Sequence, residues 1–152
     1  MAPIVHTVEI DRAPKEVFDY VTDPSRFTEW QDTVSSARAE SSGALEKGSR
    51  IVMTRVMPGG REQTMTSEYI EFDPPRTYSS RVIDGPVRAF GTGTLESIGE
   101  GNRTRFTMEL DFEGHGIGKL LVPLVVRRGA KKELDQSHQG LKRALEASPE
   151  GD

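Results

Sequence analysis

The sequence predicts one α+β domain in which a curved, seven-stranded antiparallel sheet wraps around a long C-terminal helix. Three observations predict it. Turn residues break the chain after Trp30 at short intervals, at Ser42-Gly43, Pro58-Gly59-Gly60, Asp73-Pro74-Pro75, Asp84-Gly85-Pro86 and Gly99-Glu100-Gly101-Asn102, so the segments between them are antiparallel neighbours. Phe106, Met108, Leu110 and Phe112 alternate with Arg105, Thr107, Glu109 and Asp111, which gives a sheet with one dry and one wet face. From Gly116 onward the apolar period becomes helical, and the element it describes is the longest available cover for that dry face.

Ile4, His6, Val8 and Ile10 alternate with Val5, Thr7 and Glu9, a first strand with His6 on the face expected to look inward. Pro14 suits the first turn of a helix, with Asp11 as an upstream cap and Val17, Phe18 and Val21 at helical spacing. Thr22-Asp23-Pro24 stops it, and Asp23 or Ser25 caps a second short helix carrying Phe27 and Trp30. Strands are expected near 33–41, 49–57, 62–73, 76–84, 87–98 and 103–113. The C-terminal helix begins with Ile117, Leu120, Leu121, Leu124 and Val125, with Pro123 as a potential kink. It continues as the narrower stripe Leu134, His138, Leu141 and Leu145. Gly129 and Gly140 weaken that helix, and 148–152 form a frayed tail. No repeat or linker divides the chain, so residues 1–152 are one domain with a core of about 4–147.

Composition narrows the function classes. Of 152 residues, 34% are hydrophobic and 29% charged, which suits a globular protein able to bury one sizeable core. A net charge of -4 argues against nucleic acid as the main partner, since phosphates call for a cationic field. Without cysteine there is no disulfide, thiolate metal site or cysteine nucleophile. The N-terminus lacks the basic start and apolar core of a signal peptide, and Leu120–Val126 is too short to span a bilayer, so a cytoplasmic location is expected.

Several stretches carry a family resemblance: Ile10-Asp11-Arg12-Ala13-Pro14 with Val17-Phe18, Thr22-Asp23-Pro24, Trp30, and Gly48. Phe72-Asp73-Pro74-Pro75-Arg76, Gly101 with Thr104, and Leu120–Leu124 leading to Leu141, Leu145 and Glu146 follow in order. Over roughly residues 4–147 the chain resembles the polyketide cyclase/dehydrase branch of the START-like superfamily, whose helix-grip fold is shared with pollen-allergen-type proteins. The resemblance implies a hydrophobic pocket between sheet and helix. It also implies relatives that range from aromatases and cyclases to lipid carriers and hormone-binding proteins. The matching motifs are turns, caps and core residues, so none transfers a catalytic residue.

Candidate site residues are therefore read from the chain itself. Arg55 shares a strand parity with Ile51, Met53 and Met57. Facing inward it would anchor a carboxylate or enolate; one register slip makes it a solvated arginine. His138 interrupts the Leu134–Leu141–Leu145 stripe and needs a polar partner, either in the core or on a ligand. His6 is either a cavity group or a partly solvated strand-end histidine. Tyr69, Tyr78 and Trp30 could line a pocket or pack as core, and Met53, Met57, Met65 and Met108 suit a permissive apolar wall. His115 sits at a junction flanked by glycines, and Glu68, Glu71, Glu109 and Asp111 read as outer-face charges. Three dispersed histidines make a metal site improbable, and no cofactor motif is present. The basic run Arg127–Lys132 after the apolar Leu120–Val126 segment either touches an anionic membrane transiently or is a solvated helix face. The expected partner is a hydrophobic small molecule such as a lipid, isoprenoid or polyketide, bound by a monomer or homodimer. The alternative is a cyclase- or dehydratase-type enzyme using the same cavity.

Overall fold

The computed structural model describes residues 3–57, 59–85, 87–114 and 127–147. Seven strands form one antiparallel sheet: β1 (Ile4–Ile10), β2 (Val34–Ala39), β3 (Arg50–Val56), β4 (Glu62–Asp73), β5 (Thr77–Val82), β6 (Val87–Ile98) and β7 (Arg103–Gly114). Their spatial order is β1-β7-β6-β5-β4-β3-β2, so β1 and β2 are the two edges. Between them in sequence lie α1 (Pro14–Val21), a 3-10 turn (Pro24–Arg26) and α2 (Phe27–Trp30); α3 (Arg127–Ala147) follows the last strand. The strand expectations hold to within a few residues. His115, the 117–126 part of the expected helix with Pro123, and the 148–152 tail lie outside the described residues.

Register fixes the inward parity. Ile10, Val8, His6 and Ile4 pair with Thr104, Phe106, Met108 and Leu110 of β7, which in turn face Ser97, Leu95, Gly93 and Gly91 of β6. Gly93 pairs with Tyr78, Tyr78 with Phe72, Val82 with Ser67, and Ser67 with Ile51. On β3, Met53 and Arg55 share the inward parity of buried Ile51. Register shifts between Tyr69 and Glu71 and between Val34 and Ser36 are bulges, the devices that bend a sheet.

Three local expectations need revision. Asp11 does not cap α1: Ala13 holds the N-cap position without a side-chain bond, while the Asp11 N–H donates to Glu146 Oε2 at 2.9 Å. Pro14 at the helix start removes one of the N–H groups a cap would serve, so the entry survives uncapped. Neither Asp23 nor Ser25 caps α2, whose N-cap is Arg26 without a side-chain bond; Asp23 instead caps the preceding 3-10 turn, accepting from the Ser25 N–H at 3.0 Å. Gly140 does not weaken α3 to the point of breaking it. A Cβ there would lie 3.2 Å from the Trp30 carbonyl oxygen, so the glycine lets α2 and α3 meet backbone to backbone.

Leu134, His138, Leu141 and Leu145 are all buried, as one stripe facing the sheet. At its far end α3 is tied by polar bonds to β1 and the residues just after it: Lys142 Nζ donates to the Glu9 carbonyl at 2.7 Å, and Arg12 Nη2 to the Glu146 carbonyl at 3.2 Å.

Candidate functional site

The concave face has two ends. Where α1 and α2 plug it, aromatic rings fill the space: Phe18 meets Phe72 at 5.2 Å and Tyr78 at 5.9 Å, and Tyr69 meets Phe72 at 5.2 Å. Gly93 makes this possible, because a Cβ there would lie 2.4 Å from the Tyr78 ring. The Tyr69 hydroxyl donates to the Thr22 carbonyl at 2.9 Å, tying β4 to the end of α1. Burial raises the pKa of both Tyr69 and Tyr78, so neither ionises near neutrality.

At the other end the inward residues are only partly covered. Met65, Ala89, Met108, Leu110 and Phe112 share the inner parity with buried neighbours yet remain intermediate in exposure. A cleft of about 590 Å³ opens there, lined by inward Val82, Ala89 and Phe112 and by their outward neighbours Arg81, Arg88 and Phe90. Small residues on β6 (Ala89 and Gly91) keep this part of the floor low, and a Cβ on Gly91 would already crowd the Leu110 side chain at 3.1 Å.

Two polar clusters hold the N-terminal half of α3 across the sheet, one at each edge. On the β2–β3 side, Arg55 does face inward. Its Nη1 donates to Glu133 Oε1 at 2.5 Å and to Thr33 Oγ1 at 2.7 Å, Nη2 donates to Gln31 Oε1 at 3.2 Å, and the Thr33 hydroxyl donates to the same Glu133 oxygen. The guanidinium is thus neutralised by the helix, and a ligand carboxylate would have to displace Glu133 to use it. On the β1 side, His6 Nε2 lies 2.9 Å from Asp135 Oδ1, and His6 Nδ1 lies 2.7 Å from His138 Nδ1. His138 is fully buried, and its Nε2 has no hydrogen-bond partner among the described residues. Burial, and then the neighbouring His6 ring, lower its pKa to about 3, so it is neutral at ordinary pH. A second cleft, of about 400 Å³, lies beside this cluster, between Ile4, Val5 and His6 of β1 and Lys131, Lys132 and Asp135 of α3.

The structure thus brings His6 and His138 together and places Arg55 on the opposite edge. Met108 lies at the partly covered end. Met53 is buried, with its sulfur 3.6 Å from Arg55 Nη2, and Trp30 is buried between α2 and α3 with its Nε1–H unpartnered among the described residues. Sequence reasoning did not single out Glu133 and Asp135, the helix carboxylates that partner Arg55 and His6. The available signal was their position within about one turn of His138, on the helix expected to cover the sheet. Among the described residues no helix is long and apolar enough to cross a membrane, and no group of three or more His, Asp or Glu is arranged to hold a metal.

Comparison with known proteins decides the family. A profile described as "Polyketide cyclase / dehydrase and lipid transport" matches residues 1–146. The chain belongs to this family. Solved structures similar to this chain include one from Thermus thermophilus, at TM-score 0.76 and 22% identity, covering 97% of this chain and 99% of that one. A START superfamily protein from Mycobacterium smegmatis aligns at TM-score 0.75 and 12% identity, over 95% and 99% of the two chains. The Zhui aromatase/cyclase from a Streptomyces species aligns at TM-score 0.73 and 16% identity, over 95% and 96%. At these identities the likeness establishes the fold, START-like with a helix gripped by a curled sheet, and leaves chemistry open. No curated protein matches the sequence.

Proposed function

We propose that this protein binds a hydrophobic small molecule on the partly covered end of the concave face. The observation that carries the reading is the partly exposed apolar surface there: Met65, Met108, Leu110 and Phe112 face the helix side of the sheet and are only half-buried. Apolar area left exposed inside a curved sheet gains on the order of 25 cal/mol per Å² when a ligand covers it, before ordering costs. Methionines at two of these positions adapt to ligands of different shape, which suits a lipid, isoprenoid or polyketide-like molecule. The family name, with both cyclisation and lipid transport in it, is compatible with either a carrier or an enzyme. Binding is favoured over catalysis because neither imidazole lines the cleft at this end: His138 is fully buried, and His6 is bonded to Asp135 and His138. A soluble carrier operating in the cytoplasm fits this reading.

The test is displacement of a hydrophobic fluorescent dye by fatty acids and by aromatic polyketide mimics, with Ala89→Phe as the filled-cavity variant. The expected result is saturable binding in the native protein and at least about tenfold weaker binding in the variant at unchanged thermal stability. Equal binding by both proteins removes the site from this face.

A further inference from the structure

Helix α3 is fixed to β1 and the residues just after it by two sets of bonds of different character. The C-terminal half is held by Lys142 on the Glu9 carbonyl and by Glu146, which takes the Asp11 N–H and gives its own carbonyl to Arg12. The N-terminal half is held, among the described polar contacts to β1, through His6, which bridges Asp135 and His138. Gly140, pressed against the Trp30 carbonyl, lies between the two halves.

Counting hydrogens on this cluster shows what it tolerates. An ionised carboxylate accepts and cannot donate, so His6 Nε2 carries a hydrogen toward Asp135. The 2.7 Å gap between the two Nδ1 atoms holds one hydrogen. With His6 neutral, His138 donates from Nδ1 and its Nε2 is bare. One added proton charges His6 and moves the His138 hydrogen to Nε2, and the bond between the rings survives. A second added proton places hydrogens on both Nδ1 atoms, facing each other where neither can accept. Two cations then abut with no room for water at the His138 ring, a state the docked helix cannot hold.

We propose that the His6–His138 bond is an acid-released catch: protonation of both rings frees the N-terminal half of α3 from β1 while Glu133 stays on Arg55 and the C-terminal half stays docked, so the helix swings away from β1 and opens the concave face along that edge of its partly covered end. The groups facing the pair set its balance. Asp135, also bonded to Gln139 at 3.2 Å, favours an imidazolium; Lys131 and Lys132 along the adjoining cleft oppose it; Met108 beside His6 and the Phe106 ring against His138 are apolar. Docked, His138 is held down to about 3, and undocked it returns toward its ordinary 6.5. Between those values the undocked form carries the extra proton, so each unit of acidification shifts the equilibrium toward undocking by up to about tenfold, and above the upper value the effect vanishes. The catch itself follows from the ring geometry; its effect on ligand access rests on the binding reading above.

Amide hydrogen exchange of the full chain at about pH 7.5 and about pH 5, corrected for intrinsic rates, tests it. Protection over 130–139 is expected to fall at least about tenfold more than over 141–147. The double substitution His6→Gln with His138→Leu, which cannot titrate, should abolish that difference. Equal responses of the two helix halves in the native protein, or a difference that persists in the double variant, overturn the proposal. Should the variant not fold, nitrogen resonances of the native histidine rings decide: His138 acquiring charge without loss of protection over 130–139 also overturns it. Association of 1-anilinonaphthalene-8-sulfonate is measured in parallel. If the amides respond as expected and this dye binds at neither pH, the catch stands and the binding reading fails.

Discussion

At the α1–α2 end of the sheet, the inner face is filled by Phe18, Phe72, Tyr69, Tyr78 and Phe106, and the tyrosine hydroxyl of Tyr69 is spent on a helix carbonyl. At the opposite end the same strands carry Met65, Ala89, Leu110 and Phe112, and the cover is a helix held by two ionisable clusters. One end is built by ring packing, which is insensitive to pH and salt; the other is closed by charges and imidazoles, which are not. A fold can thus keep a rigid base while leaving its working end adjustable.

The largest test of this division is truncation of one ring at each end. Phe106→Ala should cost about 3–5 kcal/mol in denaturant unfolding, the usual range for a fully buried phenylalanine, whereas Phe112→Ala should cost about 1 kcal/mol. Similar losses would erase the distinction between the ends. Acid should reveal the second difference. The folded pKa of His138 is depressed, so its stabilising contribution is complete above its unfolded value of 6.5 and is lost as pH falls toward about 3. Global stability should therefore decline by up to about 1.4 kcal/mol per pH unit below that point, and His138→Leu should flatten the curve. Gly93→Ala should destabilise by about 2 kcal/mol because its Cβ meets the Tyr78 ring, while Gly91→Ala, meeting only the tip of Leu110, should cost well under about 1 kcal/mol. The smallest effect concerns the β3 cluster: a double-mutant cycle of Arg55→Met and Glu133→Gln should give a coupling of about 1 kcal/mol, reduced by partial exposure of both groups.

Strand positions were legible because period-two alternation and Gly/Pro turns are local signals. The inward parity of His6, Val8 and Ile10 and of the Leu134–Leu145 stripe followed from the same rules. The parity of Arg55 could not be read locally, since Met53-Thr54-Arg55 alternates equally well on either face; pairing with Gln63 and Val34 settles it. The contact between His6 and His138 spans 132 positions and depends on how α3 crosses β1, which no short pattern encodes. Gly140 looked like a weak point for the opposite reason: its cost in helix propensity is local and visible, while its benefit, room for Trp30, is tertiary.

Lys142 and the edge order of the sheet have a consequence for solubility. An edge strand is a template for another chain's backbone, and β1 and β2 are both such edges. By placing an ammonium on the Glu9 carbonyl, α3 occupies one of the acceptors that β1 would offer a neighbour. A chain shortened before residue 142 should thus lose more than a cover for its interior: it should gain a sticky margin and self-associate through strands.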